Sequence, residues 1–234
     1  MRRRCPWTGS GIVIWGGPLL TMVVVVMSTT SCRAKAEPPP GPFADNFDRS
    51  VDRPVDRLYL GADWRDTGGN YALSAGRLVA RNAYNHPLWL RRKLPRDATI
   101  DFDVESHSDA GDIKVELYGD GESFDPDRGG YVSSGYVLIF GGWHNSLSVI
   151  CRNNEHDEGR KSSRADQRVQ PGRRYHFTVK RTTDGTIDWR IDGQPFLAWT
   201  DPQPLTGRGH EYFAFNDWEA EVLFDNLSIT AAAP

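Results

Sequence analysis

The sequence predicts an all-β fold, a two-sheet antiparallel sandwich, and three observations carry that expectation. From Phe43 onward, short apolar alternations are separated by Gly, Pro, Asp and Asn. No segment keeps a helical period for three turns. The alternating segments number about a dozen within one domain's length, and an open sheet of that size would twist and leave its faces wet, so two packed sheets are expected.

The first 31 residues precede that domain. Arg2, Arg3 and Arg4 form a basic start, and Gly11 to Met27 is an apolar run ending before Ser-Thr-Thr-Ser-Cys, the layout of a secretory signal peptide. A membrane anchor is the alternative, but the run is short of the roughly 20 residues a spanning helix needs and is broken by Gly16-Gly17-Pro18. Thr29, Thr30 and Ser31 before Cys32 resemble a bacterial lipobox, with Thr29 where Leu is usual. That resemblance implies a lipid on Cys32 and a membrane-anchored cell-envelope protein, with cleavage nearby and secretion as the alternative. Residues 32–42 are a Pro-rich tether, and 43–234 form the domain.

With Cys5 removed and Cys32 lipidated, Cys151 stands alone. It alternates with Leu147 and Val149, so it reads as a buried free thiol rather than half of a disulfide to the tether. Loss of three arginines takes the formal charge from -3 to -6. An acidic chain without a basic face argues against a nucleic-acid partner, and Arg160, Lys161, Arg164 and Arg168 read as a solvated loop.

In chain order the expected strands are 71–73, 77–81, 88–94, 99–106, 112–118, 135–141, 146–152, 174–181, 186–191, 195–199, 211–216 and 220–230. Thr182-Thr183-Asp184-Gly185 and Asp192-Gly193 are turn signals that join three of them into a meander. The segment Tyr136 to Phe140 is apolar on both faces, which predicts a central strand with one face in the core and the other partly covered. In 99–106, Ile100, Phe102 and Val104 oppose Asp101, Asp103 and Glu105; in 112–118, Ile113, Val115 and Leu117 oppose Asp112, Lys114, Glu116 and Tyr118.

The segments FADNFDRS and LGADWRDTGGNYALSAGRLVA near the start and FAFNDWEAEVLFDNLSI near the end are similar to the opening and closing strands of concanavalin A-like lectin/glucanase jelly rolls. The resemblance covers nearly all of 43–234 and implies a jelly roll presenting a ligand on one sheet or its rim. It fixes no activity, because that fold hosts lectins, carbohydrate-binding modules, glycosidases, lyases and adhesive domains alike. It also implies a structural Ca2+ held by carboxylates of the first and last strands, at Asp45 and Asp225; otherwise Asp225-Asn226 makes a strand-edge turn.

Two candidate sites follow. The row Asp101-x-Asp103-x-Glu105 resembles the ExDxE signature of retaining glucanases, with a shorter Asp at the nucleophile position; with Glu116 it is the catalytic set if the chain is a glycosidase or lyase, and a solvent-facing charged strand if not. The second set is Trp143, Asn145, Glu155, His156, Asn216 and Trp218. An indole stacks on the C–H face of a pyranose while amides and carboxylates pair with its hydroxyls, so this equipment points to a glycan partner. Gly141-Gly142 before Trp143 marks either a close approach or a bulge. No zinc spacing, serine elbow, P-loop or dinucleotide fingerprint appears. The leading expectation is a carbohydrate-binding jelly roll, ahead of an enzyme and of a purely structural or adhesive domain.

Overall fold

The computed structural model describes residues 40–49, 60–125, 130, 131 and 133–231. The segment expected to be a signal peptide, Cys32 and most of the expected tether lie outside the described residues. The strands are β1 (Phe43–Asp45), β2 (Trp64–Asp66), β3 (Tyr71–Ser74), β4 (Arg77–Arg81), β5 (Leu88–Leu90), β6 (Ala98–Ser106), β7 (Ile113–Gly119), β8 (Phe124–Asp125), β9 (Gly130–Tyr131), β10 (Tyr136–Gly141), β11 (Leu147–Arg152), β12 (Arg160–Arg164), β13 (Arg174–Arg181), β14 (Thr186–Ile191), β15 (Gln194–Thr200), β16 (Tyr212–Asn216) and β17 (Glu221–Ala231).

Fifteen of them form two antiparallel sheets, and β8 and β9 pair only with each other. The first runs β15-β14-β13-β6-β17-β4-β3, with β1 added beside β17; the second runs β12-β11-β10-β7-β16-β5-β2. Every expected strand is present. The sequence turns behave as their chemistry requires: Asp192 and Gly193 both take positive φ (52° and 75°), the pairing a two-residue hairpin needs to match strand twist. Short strands such as Phe43–Asp45 and Trp64–Asp66 fall in the segments that resemble the family's opening strands but are not visible from alternation, because three residues carry too little of it.

Alternation puts one face of each sheet into a shared core. Phe102 of β6 packs against Phe215 of β16 at 5.6 Å, and Phe140 of β10 against Phe177 of β13 at 6.0 Å, so the aromatic rings bridge the sheets. Each such ring withdrawn from water contributes about 1.5–3 kcal/mol. The other face of β10 and β11 holds a second apolar layer of Val137, Ile139, Val149 and Cys151, as the doubly apolar Tyr136 to Phe140 segment predicts. Cys151 is buried and free, and burial pushes its thiol up to about 12.

Two expectations need correction. Strands β6 and β7 follow one another in sequence but enter different sheets, so Asp101, Asp103 and Glu105 face away from the core on one side of the sandwich and Glu116 on the other. The four carboxyls form no common set. Arg160–Arg164, read as part of a solvated loop, is the edge strand β12 paired with β11; a polar edge strand has no apolar period to betray it.

Candidate functional site

A cleft of about 380 Å3 opens on the outer side of the second sheet, at the end where β7 begins and β10 and β16 finish. Lys114 and Ile139 line it from the sheet, and Asp112 and Gly142 from just beyond the ends of β7 and β10; Trp143 and His144, Glu155 and His156, and Trp218 and Glu219 line it from three loops, with Asn85 from a fourth. Four of the six residues expected to hold a ligand therefore meet there: Trp143, Glu155, His156 and Trp218.

The β10–β11 hairpin explains how Trp143 is aimed. Trp143, His144 and Asn145 take left-handed conformations in succession (φ 51°, 56° and 59°), a run that L-residues adopt only at a cost of about 1–2 kcal/mol each. Asn145 holds the turn: its Nδ2 donates to the Val169 carbonyl at 2.7 Å and its Oδ1 accepts from the Val169 N–H at 2.8 Å. Both ends of the amide are spent on main chain. Asn145, expected at the ligand, is thus a buried brace, and it shares no strand face with Trp143. Gly141 is required beneath this brace, since a Cβ there would lie 2.5 Å from Asn145 Oδ1 and 2.6 Å from Val169 Cγ2.

The indole of Trp143 is half-buried on the second apolar layer. The Arg160 guanidinium stands 4.2 Å from the ring centroid, and the His156 ring meets it edge-on at 5.9 Å. Trp218 is 45% exposed, and its ring meets that of Tyr84 at 5.2 Å in a T-shaped pair. Its loop is fixed by Asp112, whose Oδ2 accepts the Trp218 N–H, and by main-chain bonds from Asn82 N to Ala220 O (2.8 Å), Tyr84 N to Trp218 O (3.3 Å) and Asn85 N to Asp217 O (3.0 Å).

Below the rims lies a buried charge network. Lys114, 2% exposed, donates from Nζ to Asn85 Oδ1 at 2.7 Å and pairs with Glu155 Oε2 at 3.0 Å; Asn85 Nδ2 in turn donates to Glu155 Oε1 at 3.2 Å. Burial disfavours the ammonium, but the Asp112 and Glu155 charges outweigh it and hold the lysine above its usual range. The same lysine overcomes the burial of Glu155 and keeps that carboxyl below its usual range. His156 Nε2 sits 3.6 Å from Glu155 Oε1.

Glu116 lies two residues along β7 and is fully buried, accepting at Oε1 from Tyr131 Oη (3.0 Å) and Asn216 Nδ2 (3.1 Å). Burial, opposed by those hydrogen bonds and by Lys114, pushes its carboxyl up to about 8. Asp217, whose Oδ1 accepts the Ala83 N–H at 2.6 Å, is pushed up to about 7, again chiefly by burial. Asn216, expected at the ligand, is buried beneath Glu116, with its Oδ1 accepting the Asp217 N–H.

The carboxylate row on the opposite side is engaged throughout. Asp103 is held by Arg174 (2.7 Å), His176 Nδ1 (2.8 Å) and Asn226 Nδ2 (2.9 Å), Glu105 by Arg77 (3.0 Å) and His107 (2.6 Å), and Asp101 by Thr178 (2.6 Å). Asp45 and Asp225 are not brought together either. Asp45 turns inward to accept from Trp64 Nε1 (2.8 Å) and to pair with Arg49, whereas Asp225 pairs with Arg174 (3.0 Å) on the outer face. Among the described residues no group of three or more metal-ligating side chains forms.

Lys114, Asp112, Asn85 and Tyr84 were not expected in the site. The signal for Lys114 was present: it shares a face with Val137 and Ile139 across the ladder, and a lysine beside a doubly apolar strand is buried rather than solvated.

A family model described as "Farnesoic acid 0-methyl transferase" matches residues 92–227, more than half of the chain. The chain belongs to that family. No curated protein matches it by sequence. Among solved structures it is similar to a Bacillus subtilis protein of unknown function with a galectin-like fold (15% identity, 82% of this chain and 96% of that one, TM-score 0.60). It is also similar to the carbohydrate-binding module CBM66 from Bacillus subtilis (14%, 72% and 96%, TM-score 0.51) and to an alginate lyase in complex with an alginate trisaccharide (13%, 83% and 99%, TM-score 0.55). These likenesses establish the jelly-roll, concanavalin A-like fold.

Proposed function

We propose that this protein is a cell-envelope lipoprotein whose jelly-roll domain binds a carbohydrate in the cleft between Trp143 and Trp218. The observation that carries the reading is that two indoles from separate loops, one in the β10–β11 hairpin and one in the crossover from β16 to β17, line one cleft whose floor is a hydrogen-bonded Lys114–Glu155–Asn85 network. Indoles supply apolar faces for sugar C–H groups, and the network supplies fixed donors and acceptors for hydroxyls. Two of the three structural likenesses cited are to proteins whose names or ligands are carbohydrate-related, which agrees with this use of the fold.

Binding is favoured over transfer or cleavage because the buried ionisable groups of the cleft are already engaged. Lys114 is held by Glu155 and Asn85, and Asp112 by the Trp218 main chain. The family description names a methyl transferase, and none of these groups is left poised for such chemistry. A glycan array run with the wild type and Trp218→Ala tests the reading. Loss of roughly 1–3 kcal/mol of sugar affinity with an unchanged melting temperature is expected, because nearly half of that indole is already in water. Absence of any glycan signal from the wild type would reject it.

The anchor rests on the basic start, the apolar run and the Ser-Thr-Thr-Ser-Cys stretch ending at Cys32. Replacing Cys32 with Ser should move the protein from the membrane to the soluble fraction; unchanged partitioning removes the lipid from the proposal.

A further inference from the structure

Tyr84 and Trp218 are the large hydrophobic side chains most exposed among the described residues, at 49% and 45%. Tyr84 also has a left-handed backbone (φ 50°), uncommon for a bulky side chain. A protein that holds an aromatic residue in a strained conformation and leaves it half in water forgoes the stabilisation of burying it, which points to use at a binding surface. The platform is also rigid. The segment 82–85 is fastened to 217–220 by the three main-chain bonds above and by Ala83 N–H to Asp217 Oδ1, so little ordering entropy remains to be lost on binding.

Trp218 belongs to both surfaces: it lines the cleft opposite Trp143 and forms the T-shaped pair with Tyr84. The charge of the cleft limits what can lie on it. Lys114 is the one lysine or arginine among the lining residues, and it is paired with Glu155 beside Asp112, while Glu219 adds a third carboxylate. Arg160 is turned onto the Trp143 ring. A uronate or sulfate would meet carboxylate excess with no unpaired Lys or Arg lining the cleft to receive it.

We propose that the cleft and the Tyr84–Trp218 pair form one continuous surface for an extended, uncharged polysaccharide chain, with one sugar unit between the indoles above Lys114 and a neighbouring unit on Tyr84. This rests on the glycan-binding reading and goes further, to ligand length and charge. Affinity should rise with chain length until the platform is covered and then level off.

Calorimetric titration of the full domain with oligosaccharides of one to six units tests this, using β-1,3-gluco-, β-1,4-gluco-, β-1,4-manno- and β-2,6-fructo- series and alginate oligomers as the charged counterpart. Tyr84→Ala should weaken the longer members of the bound neutral series by roughly three- to ten-fold, leave its monosaccharide within about two-fold, and be rescued by Tyr84→Phe. Because Tyr84 is half exposed, an unchanged melting temperature shows that the variant is folded. Binding that ignores chain length, or an equal loss at every length in Tyr84→Ala, overturns the platform while leaving the cleft reading intact. Tighter binding of alginate than of every neutral series overturns the assignment of charge. If no series binds, both readings fall together.

Discussion

At the scale of single residues, Lys114 decides most about the cleft. Its ammonium is out of water, and what makes that tolerable is a carboxylate at 3.0 Å and an amide oxygen at 2.7 Å. Removing it strands Glu155 and Asp112 as buried carboxylates without a counter-charge, so Lys114→Met, which keeps the volume, should cost about 3–5 kcal/mol in urea unfolding. Adding Glu155→Gln should recover much of that loss; a single-variant cost under about 1 kcal/mol would mean that water already solvates the pair. Residues of this kind are half-legible in a sequence. Trp143, Glu155, His156 and Trp218 are found in the cleft because they sit in loops next to strand ends, which the turn residues mark. Asn145 and Asn216 were misassigned because an amide's role depends on its partner: Val169 lies 24 residues from Asn145 and Glu116 lies 100 from Asn216, and no local pattern links them.

At the scale of elements, the twelve strands with clear alternation or bounding turns were all legible, because a period of two states which side chains oppose each other. It does not state which sheet a strand joins. Strands β6 and β7 read alike, yet β6 lies between β13 and β17 while β7 lies between β10 and β16. That choice scatters the carboxylates of the ExDxE-like row and Glu116 onto opposite outer faces, and it separates a set that looked catalytic. The β10–β11 hairpin shows the converse, a short element whose irregularity aims a functional group. Three left-handed residues would not persist by themselves; they persist because Asn145 closes on Val169 and because Gly141 leaves room for that closure. The glycines were readable as a place of close approach. What approaches, a neighbouring loop, was not.

Across the whole molecule, two populations of carboxyl groups set the response to pH, and they act in opposite directions. Glu155 is kept below its usual range by Lys114 against its own burial, and Asp103 and Glu105 are kept low by their Asn, His and Arg partners, again against partial burial. Stability from these groups is present above their unfolded values and is lost as pH falls through their folded ones, with only a modest share from the partly exposed Asp103 and Glu105. Glu116, at about 8 against an ordinary 4.5, and Asp217, at about 7 against 3.8, remain protonated in the fold where the unfolded chain has released the proton. Over that interval the native state binds more protons than the unfolded one, so stability falls as pH rises. For Glu116 alone the fall between pH 5 and 7.5 is on the order of 3 kcal/mol, or roughly 5–10 °C in melting temperature for a domain of this size. The melting temperature should therefore peak near pH 5, at the acid edge of the range in which folded domains are usually most stable. Glu116→Gln keeps the shape of the side chain and the hydrogen bonds from Tyr131 and Asn216 to its oxygen, but has no proton to lose. It should leave stability at pH 5 close to wild type and raise it at pH 7.5, moving the peak toward neutrality. Thermal unfolding of both proteins at intervals from pH 4 to 8 checks this, and a wild-type curve that stays level or climbs from pH 5 to 7.5 would show that the Glu116 carboxyl is ionised in the fold and solvated in a way its buried position does not allow.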